Sequence, residues 1–134
     1  DKLEIKYEPV VEGRLPQRSG TLESDLYESN PFKVFIRPRS DLTRHAVTHY
    51  RVLKQGRHRS LVELTLATGR RHQIRVQLSS AGCPIVGDEK YGAQSDPAGR
   101  LGLHSCFLRF PHPVTGKELR FTSPLPKPLV KIVV

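Results

Sequence analysis

Within the stretch TGRRHQIRVQL, Thr68 to Leu78, fall Arg70, Arg71, His72 and Arg75. Arginine carries a planar fork of donors that matches a carboxylate or a phosphate two bonds at a time. Three such forks beside an imidazole are therefore chemistry directed at an anion. Thr68 and Gly69 stand where a strand could turn into a helix, and free amides at such a turn can also hold an anion. Bland readings exist beside this one. Arg75 alone could be a surface helix arginine, and His72 and Gln73 could satisfy buried backbone groups. An acid–base pair of His72 and Arg75 is the weaker alternative, because no second histidine or carboxylate is placed to work with it. His104 and His112 show no metal-ligand spacing, so no metal site is read. Cys83 and Cys106 read as small buried hydrophobes.

The charge of the whole chain agrees with the motif. Lys and Arg number 22 against 13 Asp and Glu, a formal net charge of +9 in 134 residues. Between Arg37 and Arg75 the only acidic residues are Asp41 and Glu63, whereas the first thirty residues carry an acidic excess. Arginine far outnumbers lysine in that basic stretch. A polyanion is the implied partner, with nucleic acid ahead of a membrane surface. Arg57 and Arg59, in the turn QGRHRS, join Arg70 and Arg71 as expected phosphate contacts. No apolar run approaches the 18 or so residues of a membrane span, and the protein is expected in the cytoplasm.

The elements that must position these residues follow from periodicity. LEIKYEPVVEG reads as one strand ended by Gly13, TLESDLY as a half-buried strand, and FKVFIRP as a short strand stopped by Pro38. AVTHYRVLKQG and SLVELTLATG read as a hairpin. Past Gly69 the period changes. Ile74, Leu78 and Ala81 fall at helical spacing and Gly82 suits the position after a helix end. On that reading Arg71 and Arg75 lie one turn apart on one face. PIVGDEKYG reads as a loop, and LGLHSCFLRFPHP with KELRFTSPLP as a second hairpin around VTG. The tail KPLVKIVV is too short to assign. The expected class is α+β, a mostly antiparallel or mixed sheet with one main helix, in a single unit.

Several segments together resemble the RluA family of RNA pseudouridine synthases. TGRRHQIRVQL is similar to its Thr-Gly-Arg and His-Gln-Ile/Leu-Arg block, and GCPIVGDEKYG to its Gly-x-Pro-Ile-x-Gly-Asp-x-x-Tyr-Gly loop. LHSCFLRFPHPVTGKELRFTSPLP is similar to its closing hairpin. KYEPVVEG resembles its tyrosine strand, with Pro9 where alanine is usual. The family's catalytic aspartate lies in a His-Arg-Leu-Asp-x-x-Thr-Ser-Gly motif, and no such motif occurs here. Residues 1–134 are thus expected to be the carboxyl-terminal portion of a pseudouridine synthase catalytic domain. Asp88 is not its substitute, because it falls on the family's Gly-Asp loop.

The resemblance implies isomerisation of uridine to pseudouridine in ribosomal or transfer RNA, with no metal or redox cofactor. It implies that Arg75 pairs with the catalytic aspartate and that Tyr7 stacks on the target base. Arg70, Arg71, His72 and Gln73 then serve the substrate and the scaffold around it. Read from the residues alone, Tyr7 is equally an ordinary strand tyrosine. The alternative for this polypeptide is an RNA-binding module with no chemistry of its own. The sequence sets neither the RNA nor the oligomeric state.

Overall fold

A computed structural model describes residues 4–29 and 33–133. Leu3 and Phe32, read as ends of the first and third predicted strands, and Val134 of the tail lie outside the described residues.

The strands are β1 (Glu4–Tyr7), β2 (Val10–Glu12), β3 (Ser19–Ser29), β4 (Lys33–Ile36), β5 (Arg44–Gln55), β6 (Arg59–Leu66), β7 (Ser105–Pro111) and β8 (Glu118–Thr122). They form one sheet in the order β4-β3-β5-β6-β1-β7-β8, with β2 also paired to β6. Every pairing is antiparallel. The α+β expectation holds, with two helices, α1 (Gln73–Ser80) and the short α2 (Lys127–Val130), and a 3-10 turn at Glu89–Tyr91.

One prediction fails at Pro9. The expected first strand is two strands, because proline has no N–H to give to the ladder. Its carbonyl still accepts from Val62 N–H at 3.1 Å, while Glu8 N–H and Val10 N–H reach the His104 and Gly102 carbonyls. β1 is therefore held on both sides, by β6 and by β7.

Alternation along β5 shows which face is covered. Ala46, Thr48, Tyr50 and Val52 are buried, whereas Arg44, His49 and Arg51 are exposed. α1 lies across the buried face, where Ile74 and Leu78 meet Tyr50, Val52, Val62 and Leu64. Val76 packs beside Leu26, Val34 and Ala46. The tail is not loose: Leu129 and Val133 bury against Val10 and Val86.

α1 ends as its sequence predicts. Gly82 takes φ +85°, Gly82 N–H bonds Ser79 O and Cys83 N–H bonds Leu78 O, which satisfies the last carbonyls. Its start differs from expectation. The helix begins at Gln73, so Arg71 precedes it and does not share a helical face with Arg75. The cause is His72, whose left-handed backbone (φ 53°, ψ 20°) cannot continue an α-helix.

Candidate active site

The turn between β6 and α1 is fixed by one buried side chain. Gln73 is 2% exposed. Its Oε1 accepts from Thr68 Oγ1 at 2.7 Å and from Arg70 N–H at 2.9 Å. Its Nε2 donates to Val47 O at 3.0 Å and to Thr48 Oγ1 at 2.8 Å. Thr48 passes its own hydrogen to Gln77 Oε1 at 2.6 Å, and Gln77 Nε2 reaches Leu22 O, Ser24 Oγ and Ala46 O. A chain of polar groups thus runs under the helix with its members satisfied, which makes the register of α1 on the sheet unique. Gln73, expected among the substrate contacts, has its amide committed to this scaffold.

Arg75 projects from α1 toward the loop after it. Its Nε donates to Asp88 Oδ2 at 3.0 Å and its Nη2 to Asp88 Oδ1 at 2.8 Å. The carboxylate is 1% exposed and the arginine side chain 22%. The Asp88 bond and charge push the guanidinium pKa up, so the cation is permanent. The guanidinium also lies 4.9 Å from the centre of the Tyr91 ring. Arg75 thus already engages a carboxylate of this chain: Asp88 occupies two of its three nitrogens and leaves Nη1 outside the pair.

His72 is tied into the same loop. Its Nδ1 lies 2.7 Å from Tyr91 Oη, and the two rings meet edge to face. Tyr91 Oη accepts from Val34 N–H at 3.0 Å, which directs its own hydrogen at His72 Nδ1. Burial, then the charges of Arg75, Lys90 and Arg71, lower the His72 pKa. Both effects favour the neutral ring. The loop that delivers Asp88 and Tyr91 needs glycine at Gly87, where φ is +78° and a Cβ would stand 2.4 Å from the Arg100 carbonyl oxygen.

Tyr7, Arg70, His72, Gln73 and Arg75 all line one cleft of about 230 Å³, walled by Leu66, Ile74 and Leu103. Five of the eight expected site residues are brought together by tertiary structure, although Tyr7 is more than sixty positions from the others. Arg71 lies in a neighbouring cleft that shares Arg70. Arg57 and Arg59 are not part of the group. They sit at the far end of the β5–β6 hairpin, about 23 Å along β6 from Leu66 at strand rise. Arg59 Nη1 donates to Ile132 O. Among the described residues, no group of three or more His, Cys, Asp and Glu could hold a metal ion.

An RNA pseudouridylate synthase family model matches residues 3–80, which include Tyr7 and the whole TGRRHQIR block. The chain belongs to the RNA pseudouridylate synthase family. It is 38% identical over 128 residues to the uncharacterized RNA pseudouridine synthase YjbO of Bacillus subtilis (strain 168), across 96% of this chain and 45% of that protein. It is 40% identical over 107 residues to ribosomal large subunit pseudouridine synthase D of Vibrio cholerae, across 69% of this chain and 33% of that one. The solved structure of human RNA pseudouridylate synthase domain containing 1 superposes with a TM-score of 0.80 at 25% identity, covering 92% of this chain and 55% of that one. The chain spans less than half the length of these two bacterial relatives. Asp88 and Tyr91 fall outside the matched residues yet hold Arg75 and His72. Sequence reasoning quoted their loop without finding their partners. The available signal was an aspartate and a tyrosine confined between Gly87 and Gly92, directly after a helix bearing an arginine.

Proposed function

We propose that the chain supplies the arginine and tyrosine walls of an RNA pseudouridine synthase active site. The observation that carries this is one cleft with Tyr7 from β1 on one side and Arg75 from α1 on the other. A uracil base enters with its ring against Tyr7, flipped out of its stack. The N1–C1′ bond breaks, the base turns, C5 bonds to C1′, the C5 proton leaves to solvent and N1 takes up a proton. This sequence needs an ionised carboxylate as nucleophile or base. Asp88 is buried and already forked on Arg75, so it acts as a positioning residue: it aims the guanidinium, whose Nη1 side then receives the catalytic aspartate of a His-Arg-Leu-Asp segment. A preset cation holds that second carboxylate ionised without rearrangement during reaction. The substrate is a uridine in RNA, ribosomal ahead of transfer RNA given the names of the relatives, and the site of action is the cytoplasm.

The test is tritium release from C5-labelled uridine in RNA. The 134-residue chain alone releases none. A polypeptide bearing the His-Arg-Leu-Asp motif, fused or added in trans, restores release, and the same polypeptide with asparagine at its motif aspartate does not. Release by the chain alone would overturn the proposal. A net charge of +9 also suits a second reading, an RNA-binding module without chemistry. Binding of RNA with no release under either condition would select it.

A further inference from the structure

A second cleft lies beside the one that holds Tyr7. It measures about 360 Å³ and is lined by Leu26, Glu28, Leu42, Arg44, Gly69, Arg70 and Arg71, so the two clefts meet at Arg70. Its volume falls within the roughly 300–1,000 Å³ of small-molecule sites. Its chemistry is mixed in a way that fits a nucleotide. Three arginines face one carboxylate, leaving net positive charge for a phosphate. Leu26 supplies an apolar floor at 3% exposure, and Leu42 an apolar rim at 71%.

The rim is preordered. Ser40 N–H bonds Thr43 Oγ1, Leu42 N–H bonds Ser40 Oγ, and Thr43 N–H bonds Ser40 O, winding the β4–β5 loop on itself. That loop places the exposed Leu42 side chain in the same lining as Arg44. The opposite wall is equally fixed. Arg70 Nε donates to His45 O at 2.9 Å and its backbone N–H is held by Gln73. The terminal amino groups of Arg70 stand outside those bonds.

We propose that this cleft is a second nucleotide subsite, taking the nucleotide adjacent to the uridine in the reaction cleft. Its phosphate sits between Arg44 and Arg71, its base lies against Leu42, and Arg70 spans the linkage between the two nucleotides. The inference rests on the pseudouridine synthase reading and extends it: substrate recognition begins with a strand of unpaired RNA threaded through both clefts, not with a single base.

The experiment is an NMR titration of the 134-residue chain with uridine 5′-monophosphate and with the trinucleotide UpUpU. The trinucleotide binds at least about tenfold tighter, the scale of one charge-assisted phosphate contact, and shifts the amides of Leu42 and Gly69. Arg44→Gln removes most of that gain, leaves the monophosphate affinity unchanged, and lowers the salt slope by about 0.7, the value for one single-strand phosphate. Leu42→Ser, at an exposed tip, weakens only the trinucleotide. Trinucleotide binding that shifts Leu66 and Ile74 but not Leu42 and Gly69, and ignores Arg44→Gln, overturns the subsite while leaving the pseudouridine reading in place. No amide shift with either ligand overturns the subsite, while the tritium-release test decides the pseudouridine reading separately.

Discussion

Arg75 shows how one side chain can be both structural and functional. Its fork on Asp88 neutralises a carboxylate that is 1% exposed, and such a carboxylate is costly to leave unpaired. Asp88→Asn is therefore expected to lower stability by about 3 kcal/mol, the usual cost of breaking a buried pair, measured by urea unfolding. An unchanged midpoint would remove Asp88 from the role given to it. Arg75→Lys, in a version that carries the motif aspartate, keeps the charge but loses the fork. Tritium release should fall at least about a hundredfold, the scale of removing one preorganised charge donor, while RNA affinity stays within a factor of two or so. Normal turnover would place the catalytic charge elsewhere. The two perturbed histidines diverge in direction. Bonds to Asp25 and Glu23 raise the His45 pKa, and burial with neighbouring cations lowers that of His72. Against an ordinary value of about 6.5, NMR titration should place the His45 midpoint above and the His72 midpoint below. The stability supplied by His45 is full below about pH 6.5 and is lost as pH rises through its folded value. His72 acts oppositely: the unfolded chain binds its proton first, so stability falls as pH drops from about 6.5 through the His72 folded value. Coincident midpoints would refute both environments.

At the scale of elements, α1 is placed by its ends and by its glutamines more than by its length. Eight residues make a marginal helix alone. The Gln73–Thr48–Gln77 chain and the Gly82 turn supply what propensity does not. Gly82 and the loop glycine Gly87 both take positive φ, but only Gly87 is crowded by backbone. Gly82→Ala should cost about 1–2 kcal/mol, the left-handed penalty alone. Gly87→Ala should cost roughly 2–4 kcal/mol, since the Arg100 carbonyl must also move. Denaturant titration checks the order of the two. Equal costs would mean that the loop yields freely and does not hold Asp88 in place.

Across the whole molecule, the antiparallel sheet buries one face under α1 and leaves a charged face open. Its long β5–β6 hairpin carries basic groups at both ends, with the two clefts at one and Arg57 and Arg59 at the other. A short oligonucleotide in the clefts cannot span that distance. Neutralising Arg57 and Arg59 should therefore leave UpUpU binding unchanged and lower the salt slope for a long structured RNA by about 0.9 per lost duplex phosphate contact. Equal slopes for the variant and the parent on long RNA would confine binding to the clefts.

The sequence by itself determined most strands and the main helix, because periods of two and near four report which side of each element meets the core; it joined β1 to β2 and left α2 unassigned. It also carried the family, since TGRRHQIR and GCPIVGDEKYG keep residue types and spacing within single short segments. It could not place His72 in the left-handed region, since few side chains announce that backbone, and so Arg71 was read within a helix that begins two residues after it. Only the tertiary structure decided that Tyr7 joins Arg75 in one cleft, that Asp88 forks onto the arginine, and that Arg57 stands apart from Arg70. These are facts of sheet order and strand direction. A hairpin puts its two ends some seven residues of rise apart whatever their charge, and a strand early in the chain meets a helix in its middle only when β1 inserts between β6 and β7.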